Sequence, residues 1–169
     1  MPFRSKAIVG IDPGSKGGVV LLDDEGVIVE LVSMPTIDVF ADLIEKWNPH
    51  HVCIEKSQSL PGNAASRMFN YGVHNGELRG VLVALQVPFT LVPPKIWQAE
   101  MFLGTSSTDL PKKRALEAAR RLFPGQDFRA SERCKTPSDG LIDAALIGTY
   151  WFRSFTRMAR KNHEKSMGV

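Results

Sequence analysis

Four acidic residues stand beside apolar stretches of the chain, where an unpaired carboxylate is costly to bury. Asp12 ends the run KAIVGID, Glu55 ends HVCIE, and Asp139 and Asp143 lie in SDGLIDAALIG. Converging carboxylates raise each other's pKa values, and a divalent cation relieves their repulsion. Ligation by oxygen alone suits Mg²⁺ or Mn²⁺, and a pair of such ions can hydrolyse a phosphodiester. These residues are therefore our candidate catalytic residues and metal ligands.

Each carboxylate also has a plain structural interpretation. Asp12 precedes Pro-Gly, which is typical of a turn. Asp139 suits the first turn of a helix because of the helix dipole, and Glu55 could pair with Lys56 or with solvent. Asp143 is harder to explain in this way because it lies next to an apolar stripe. The placement of all of them at two strand ends and on one helix face favours the chemical interpretation.

Hydrophobic patterning predicts the elements that position these residues. The runs KAIVGID, VVLLD and VIVELV, separated by short turns, indicate three strands of an antiparallel meander. Apolar residues at helical spacing then predict a helix from Ile37 to Trp47, which Asn48-Pro49 ends. HVCIE is a fourth strand, and a right-handed crossover would place it parallel to the first. Asp12 and Glu55 would then emerge at the same edge of the sheet.

The second half of the chain predicts further helices around a fifth strand, PFTLV. A long helix should run from about Ala64 to Gln86, and Pro93-Pro94 should open a short one that reaches Met101. A basic helix from Leu110 to Phe123 follows. Ser138 can cap a last helix that ends at about Phe155. The candidate core positions of the long helix are Met68, Val73, Leu78, Leu82 and Leu85.

Three glycines recur every four residues in that long helix, at Gly72, Gly76 and Gly80. They cost about 3 kcal/mol of helix propensity. Some contact must offset that cost. A partner helix, DNA and the chain's own sheet are the three candidates for it.

Length and composition bound the protein class. We expect one α/β domain over residues 1–169, with a basic C-terminal tail from about residue 156. With 43% hydrophobic and 23% charged residues, the composition is that of a globular protein. No apolar run has the length of a membrane span, and the N-terminus does not resemble a signal peptide, so we expect a cytoplasmic protein without a membrane partner. Its two cysteines do not form a disulfide framework, and Cys53 is predicted to be a buried apolar residue.

Positive charge is concentrated in two parts of the chain. The formal net charge is +3, and the segment KKRALEAARR and the last twenty residues hold much of the excess. Such clusters bind phosphates or simply form solvated helix faces. Our candidate DNA-binding residues are Lys16, Ser57, Gln58, Lys95, Lys112, Lys113, Arg114, Arg121 and Lys135.

Five segments together resemble the RuvC-type Holliday-junction resolvases of the ribonuclease H-like superfamily. They are IVGIDPGSKGGVVLLD, CIEKSQ, GELRGVLVAL, PFTLVPPKIWQAEMFLG and SDGLIDAALIG, and they span about residues 5 to 155. The likeness is greatest to the RuvC-like group found in phages and related bacterial elements. It implies a mixed five-stranded sheet in the order 3-2-1-4-5, with Asp12, Glu55, Asp139 and Asp143 as ligands of two Mg²⁺ ions for which Mn²⁺ can substitute. It also implies a homodimer that binds a four-way junction and nicks two strands symmetrically.

The sequence departs from the bacterial pattern at two points. Bacterial resolvases usually space their last two acidic residues three apart, whereas Asp139 and Asp143 are four apart; both spacings leave them on one helix face. The loop after Glu55 is longer here. Where bacterial members place an aromatic residue that enters the junction centre, this chain has SQSLPGN, with Leu60 as its first large apolar residue and Phe69 further on. The wedge residue is therefore unassigned.

Three alternatives remain open. Actin-like ATPases and sugar kinases also begin with a strand, an Asp-x-Gly turn and a hairpin, but they need two such domains around the nucleotide. A non-catalytic junction-binding module would be expected to have lost carboxylates. A ribonuclease H-like nuclease acting on other branched DNA, on RNA–DNA hybrids or at transposon ends differs from a resolvase only in its substrate.

Overall fold

The computed structural model describes residues 6–56 and 65–166, with side chains for residues 6–56 and 69–159. Strands and helices follow one another in the predicted order. The strands are β1 (Ile8–Asp12), β2 (Gly18–Leu22), β3 (Ile28–Ser33), β4 (His51–Glu55) and β5 (Phe89–Val92). The helices are α1 (Ile37–Trp47), α2 (Ala65–Ala84), α3 (Pro94–Met101), α4 (Pro111–Leu122) and α5 (Asp139–Ser166).

The strands form one five-stranded sheet in the order β3-β2-β1-β4-β5, which confirms the prediction. β1, β2 and β3 pair antiparallel as a meander. β4 pairs parallel with β1, and β5 pairs parallel with β4, because a helix precedes each of them and returns the chain to the same edge. The carboxyl ends of β1 and β4 therefore lie side by side.

Alternation along the strands divides the core into two layers. Val9 and Ile11 of β1 pack with Phe40 of α1 and Leu78 of α2 on one face of the sheet. The opposite face packs against α3, α4 and α5 through residues that include Cys53. We call these the α2 face and the α5 face. The side chains that end β1 and β4 project toward the α5 face, because they follow the same alternation as Cys53.

Glycines let α5 lie directly on the sheet. A Cβ at Gly10 of β1 would lie 2.6 Å from the Cα of Gly148, so the backbones of strand and helix touch at this crossing. A second close approach joins Gly18 of β2 to the start of α5, since a Cβ there would lie 3.0 Å from the carbonyl oxygen of Gly140. These two contacts fix how far α5 stands from the strand ends.

Two predictions about helices were wrong. The last helix does not end near Phe155 but continues to Ser166, so the predicted tail from residue 156 begins as helix. The segment after Phe155 contains Arg, Met, Ala, Lys and Glu, which favour helix, and its first glycine is Gly168. Val73 is not a core position, because it is 44% exposed, whereas Leu78 and Leu82 are buried.

The glycines of α2 do not pack against the chain's own sheet. A Cβ at Gly72, Gly76 or Gly80 would meet no described atom within 4 Å. Phe69, Val73 and Val83 are exposed and share that side of the helix at spacings of three, four and seven residues. We call these six residues the outer α2 face.

The cysteines behave as predicted. Cys53 is buried in β4, and burial raises the pKa of its thiol to about 12. Both Cys53 and Cys134 are free thiols. Separately, none of the helices formed by residues 6–56 and 65–166 is long and apolar enough to cross a bilayer.

Candidate metal centre

Asp12 lies at the carboxyl end of β1 and is half-buried. Burial raises the pKa of its carboxyl group, and a hydrogen bond from the Gly14 N–H to Oδ1, at 3.2 Å, offsets part of that rise. This bond is the turn-forming contact that Pro-Gly after an aspartate favours. One carboxylate oxygen of Asp12 therefore stabilises the turn after β1, and the carboxyl group as a whole is poorly solvated.

Glu55 lies at the carboxyl end of β4, on the strand next to Asp12. The indole N–H of Trp97 donates a hydrogen bond to Glu55 Oε2 at 2.8 Å, and Trp97 itself is fully buried. Burial raises the pKa of Glu55 to about 7; the Trp97 bond opposes this, and the charge of Asp12 adds to it. A fixed, bulky donor thus holds one carboxylate oxygen of Glu55.

Asp143 lies one turn into α5, between the buried residues Ile142 and Ala144. Burial is the main cause that raises its pKa to about 8, and the charges of Asp12, Glu55 and Asp139 raise it further. This coupling shows that the acidic residues from both strands and the helix are electrostatic neighbours. Their role as metal ligands stays a prediction.

Asp139 is more exposed than the other three acidic residues. Its Oδ2 accepts a bond from Lys112 Nζ of α4 at 2.5 Å, with the Asp139 side chain 52% exposed. The bond and the charge of Asp139 raise the pKa of Lys112. The charge of Lys112 in turn lowers the pKa of Asp143. Lys112 therefore supplies positive charge at the rim of the acidic site.

A small cleft lies between α3, α4 and α5 beside these carboxylates. It has a volume of about 70 Å³, and Gln98, Phe102, Lys112, Asp139 and Asp143 contribute to its walls. No three Asp, Glu, His or Cys side chains among residues 6–56 and 69–159 enclose a metal position in their present orientations.

The chemistry of the available ligand atoms suits a hard divalent cation. The site offers carboxylate oxygens without a neighbouring imidazole or thiolate in the described part of the chain, which is the ligand preference of Mg²⁺ and Mn²⁺. Burial of Glu55 and Asp143 places them where a cation would be favoured, because their charges are poorly solvated. Lys112 bonds Oδ2 of Asp139, so Oδ1 is the oxygen of this residue that would bind a cation while the ion pair persists.

The candidate DNA-binding residues are placed in several different ways. Lys16, Lys95 and Lys135 are exposed, in the β1–β2 turn, in α3 and in the segment before α5. Ser57 and Gln58, like the wedge candidate Leu60, lie outside the described residues.

The basic residues of α4 mostly have protein partners. Lys113 pairs with Asp109 at 2.9 Å. Arg114 donates to Thr105 Oγ1 at 2.9 Å and lies over the Phe102 ring. Arg121 is exposed, and its guanidinium lies 3.4 Å from a backbone carbonyl oxygen of α3. The phosphate contacts predicted for these residues stay predictions.

Trp97 contacts the acidic site, and the sequence pattern did not single it out. Its spacing marked it only as an apolar position of α3. The contact with Glu55 joins residues 42 positions apart and depends on β5 lying beside β4. A tryptophan in the core is nonetheless a signal, because its indole N–H needs an acceptor when buried.

Comparison with known proteins gives fold relatives but no sequence relatives. No protein-family model matches the chain, and no curated protein matches it in sequence. Thermus thermophilus RuvC in complex with Holliday junction substrate matches with a TM-score of 0.62 and 16% identity, over 89% of this chain and 95% of that chain. A second Thermus thermophilus RuvC structure matches with a TM-score of 0.56 and 19% identity, over 90% of this chain and 96% of that one.

The yeast mitochondrial Holliday junction resolvase Ydc2 is a third structural neighbour. It matches with a TM-score of 0.61 and 19% identity, over 98% of this chain and 85% of that chain. The strand order observed here is the one that the resemblance to the RuvC-type resolvases implied. The chain therefore shares the fold of these solved structures.

Proposed function

We propose that this chain is a metal-dependent endonuclease that resolves four-way DNA junctions. The observation that carries the proposal is the acidic site: Asp12, Glu55 and Asp143 are desolvated neighbours at one edge of the sheet. A stable protein gains nothing from such a cluster unless another group compensates the charge. The fold likeness to RuvC bound to a Holliday junction supports the choice of substrate.

Asp12, Glu55, Asp139 and Asp143 are the residues that would hold Mg²⁺ or Mn²⁺. Two such ions, when bound, supply an activated water and stabilise the leaving oxygen of a phosphodiester. The protein's part is to fix the ligands. The backbone contacts of α5 with β1 set the position of Asp143, and Trp97 sets that of Glu55.

Lys112 is suited to neutralise charge on the substrate side of the site. It is exposed and already pairs with Asp139, so its ammonium group lies beside the acidic cluster. A DNA phosphate entering the site would offer Lys112 a second anionic partner. Lys112 would then bind the phosphate, and Asp139 would bind the metal ion. Lys16 and Lys95 extend the positive surface for DNA.

A second copy of the chain on the outer α2 face would give the homodimer that paired nicking requires. This face exposes Phe69, with 71% of its surface accessible, together with valines and three glycines over which a partner backbone can pass closely.

A cleavage comparison tests the proposed function. The substrates are an immobile four-way junction, a plain duplex of the same sequence and an RNA–DNA hybrid, each with Mg²⁺ and with chelator. We expect symmetric nicks in the junction with Mg²⁺ alone. Preferential cleavage of the hybrid would instead indicate the related nuclease. Junction binding without nicking in Mg²⁺ or Mn²⁺ would indicate a binding module.

A further inference from the structure

One cavity in the described part of the chain lies at the same sheet edge as Asp12 and has no role in the proposed chemistry. Its volume is about 450 Å³. Three segments form it, and they meet at the sheet edge where β1 ends. They are the turn after β1, the connection from β3 to α1, and residues 70–74 of α2. Pro13 and Ser15, directly after Asp12, contribute to its walls.

The cavity and the acidic site lie on opposite faces of the same sheet edge. Ile11 packs on the α2 face, so Asp12, the next residue, projects to the α5 face. The cavity lies on the α2 face, because residues directly before α1 and residues of α2 form its walls. A DNA strand crossing this edge would carry its phosphate past the acidic site and a neighbouring nucleotide into the cavity.

The walls of the cavity are largely apolar and include a ring. Pro13, Met34, Pro35 and Tyr71 contribute these surfaces. Apolar walls with an aromatic ring and a few polar groups are the usual surroundings of an unstacked base in a protein pocket. No Lys or Arg is among the lining residues that the structure describes. This composition favours a base over a phosphate as the occupant.

The polar groups of the cavity include an imidazole nitrogen that needs a partner. Nε2 of His74 is buried without a hydrogen-bond partner among the described residues. The other ring nitrogen, Nδ1, lies 3.7 Å from Glu77 Oε2. Nε2 is enclosed by protein atoms, so a ligand in the cavity reaches it when the imidazole ring rotates. Ser15, Thr36 and Asn70, which carry hydroxyl and amide groups, also line the cavity. An exocyclic amine, ring nitrogen or carbonyl of a base would satisfy such groups.

We propose that this cavity binds one unpaired nucleobase next to the cleaved phosphate, and that His74 and Asn70 read its edge. This inference rests on the proposed function for its place in catalysis. It assigns sequence preference to a pocket on the α2 face rather than to the acidic site. It also predicts that unpaired single strands bind there without any junction.

The first test is the base preference of cleavage. Junctions carrying each of the four bases beside the mapped nick are compared for the wild type, Asn70→Ala and His74→Phe. Loss of one hydrogen bond should reduce the ratio between the best and worst base about fivefold at a single position. Cleavage of the worst substrate should change little. An unchanged ratio in both variants would overturn the proposal.

A matched control separates a local effect from a general one. His50→Phe makes the same substitution at the other end of β4, where His50 packs against Phe155. It should leave base preference unaltered. Asn70 is exposed, so Asn70→Ala tests the pocket even if His74→Phe fails to fold.

The second test does not depend on cleavage. The imidazole resonances of the four histidines are followed by NMR in metal-free protein as short single-stranded oligonucleotides of A, C, G or T are added. We expect His74 to shift with one or two of the four and His50 to stay still. If the His74 resonance responds to none of the oligonucleotides, the proposed base site is wrong. If it responds but the protein nicks no junction, the proposed function is wrong and the base site is retained.

Discussion

At the scale of single residues, the charge of each candidate ligand is the property to test. Replacing a carboxylate by an amide keeps its shape but removes the charge that a cation needs. Asp12→Asn, Glu55→Gln and Asp143→Asn should each reduce nicking by several orders of magnitude while junction binding persists. The ligands act as one unit, so double variants should lose little more activity than single ones.

The carboxylate variants need a stability control. Thermal unfolding in chelator should stay level or rise in the three variants, because each relieves repulsion between buried charges. Asp139→Asn should follow the same pattern in activity. Asp127→Asn, which alters an exposed pair with Arg129 outside the acidic cluster, should leave nicking unchanged. If Asp143→Asn unfolds the protein and Asp12→Asn keeps full activity, the carboxylates are structural.

The raised pKa values of Glu55 and Asp143 predict how stability depends on pH. In the unfolded chain both carboxyl groups lose their protons near their ordinary values of 4.5 and 3.8; in the folded chain they hold them to about 7 and about 8. Between these limits the folded state binds more protons. The free energy of unfolding therefore falls as pH rises, by at most about 1.4 kcal/mol per pH unit for each group.

Thermal unfolding in chelator from about pH 5 to about pH 8 measures this slope. Asp143→Asn should flatten it, because one of the two titrating groups is lost. Mg²⁺ should also flatten it, since a bound cation favours the ionised carboxylates of the folded state. A melting temperature that rises over this range without metal would contradict the assigned burial.

Trp97→Phe tests whether an indole N–H positions Glu55. Phenylalanine keeps most of the apolar volume and removes the donor at 2.8 Å. Hydrogen bonds to charged groups contribute about 1.5–3 kcal/mol, so nicking should fall roughly tenfold or more. The bond lowers the pKa of Glu55, so its loss should move the acidic limb of the pH–rate profile to higher pH. A variant with lower activity but an unmoved profile would show only a packing role.

Local patterns predicted the acidic residues but could not predict their partners. Asp12 and Glu55 end apolar runs, and that signal is readable along the chain. The bonds of Glu55 with Trp97 and of Asp139 with Lys112 join residues 42 and 27 positions apart. They depend on how α3 and α4 pack on α5, which no local pattern specifies.

At the scale of elements, the crossing of α5 over β1 depends on glycine. A Cβ at Gly10 would collide with the backbone of α5 near Gly148, and backbone cannot move aside as a flexible side chain can. Gly10→Ala should therefore lower the free energy of unfolding by about 3 kcal/mol or more. It should also reduce nicking, because Asp143 would be displaced from the strand ends.

Gly76→Ala is the matched control for that prediction, with both variants measured at concentrations low enough to keep the chain monomeric. A Cβ there meets no described atom within 4 Å, and alanine favours helix over glycine by up to about 1 kcal/mol. Urea unfolding of both variants gives the comparison. Equal effects at Gly10 and Gly76 would show that close approach is not what the glycine of β1 provides.

The elements also show where sequence patterns fail. Strand bounds and the ends of α1 follow from breakers such as Asn48, which adopts a left-handed conformation at the end of the helix. The end of α5 was misplaced because a change from apolar to charged residues resembles a helix end, although no breaker is present. Val73 was misassigned to the core because an apolar residue on α2 gives no sign of which helix face it occupies.

At the scale of the whole molecule, the outer α2 face predicts self-association. Val73→Glu places a charge in the middle of this exposed apolar stripe and should convert a dimer into a monomer. Sedimentation over a range of concentrations measures the change. Glu45→Lys, an exposed charge reversal on α1, is the control and should remain dimeric. If wild type and Val73→Glu sediment alike as monomers, the face does not hold a second copy.

The continuous helix α5 also sets the distance between the acidic site and a basic residue further along the molecule. Asp139 begins it, and the exposed Arg153 lies fourteen positions further along. At 1.5 Å per residue the two are about 21 Å apart along the axis. A duplex arm lying parallel to the helix would need about six base pairs, at 3.4 Å each, to reach from one to the other. The length of a substrate's duplex arm thus determines whether Arg153 can contribute to DNA affinity. This effect does not depend on the base sequence at the branch.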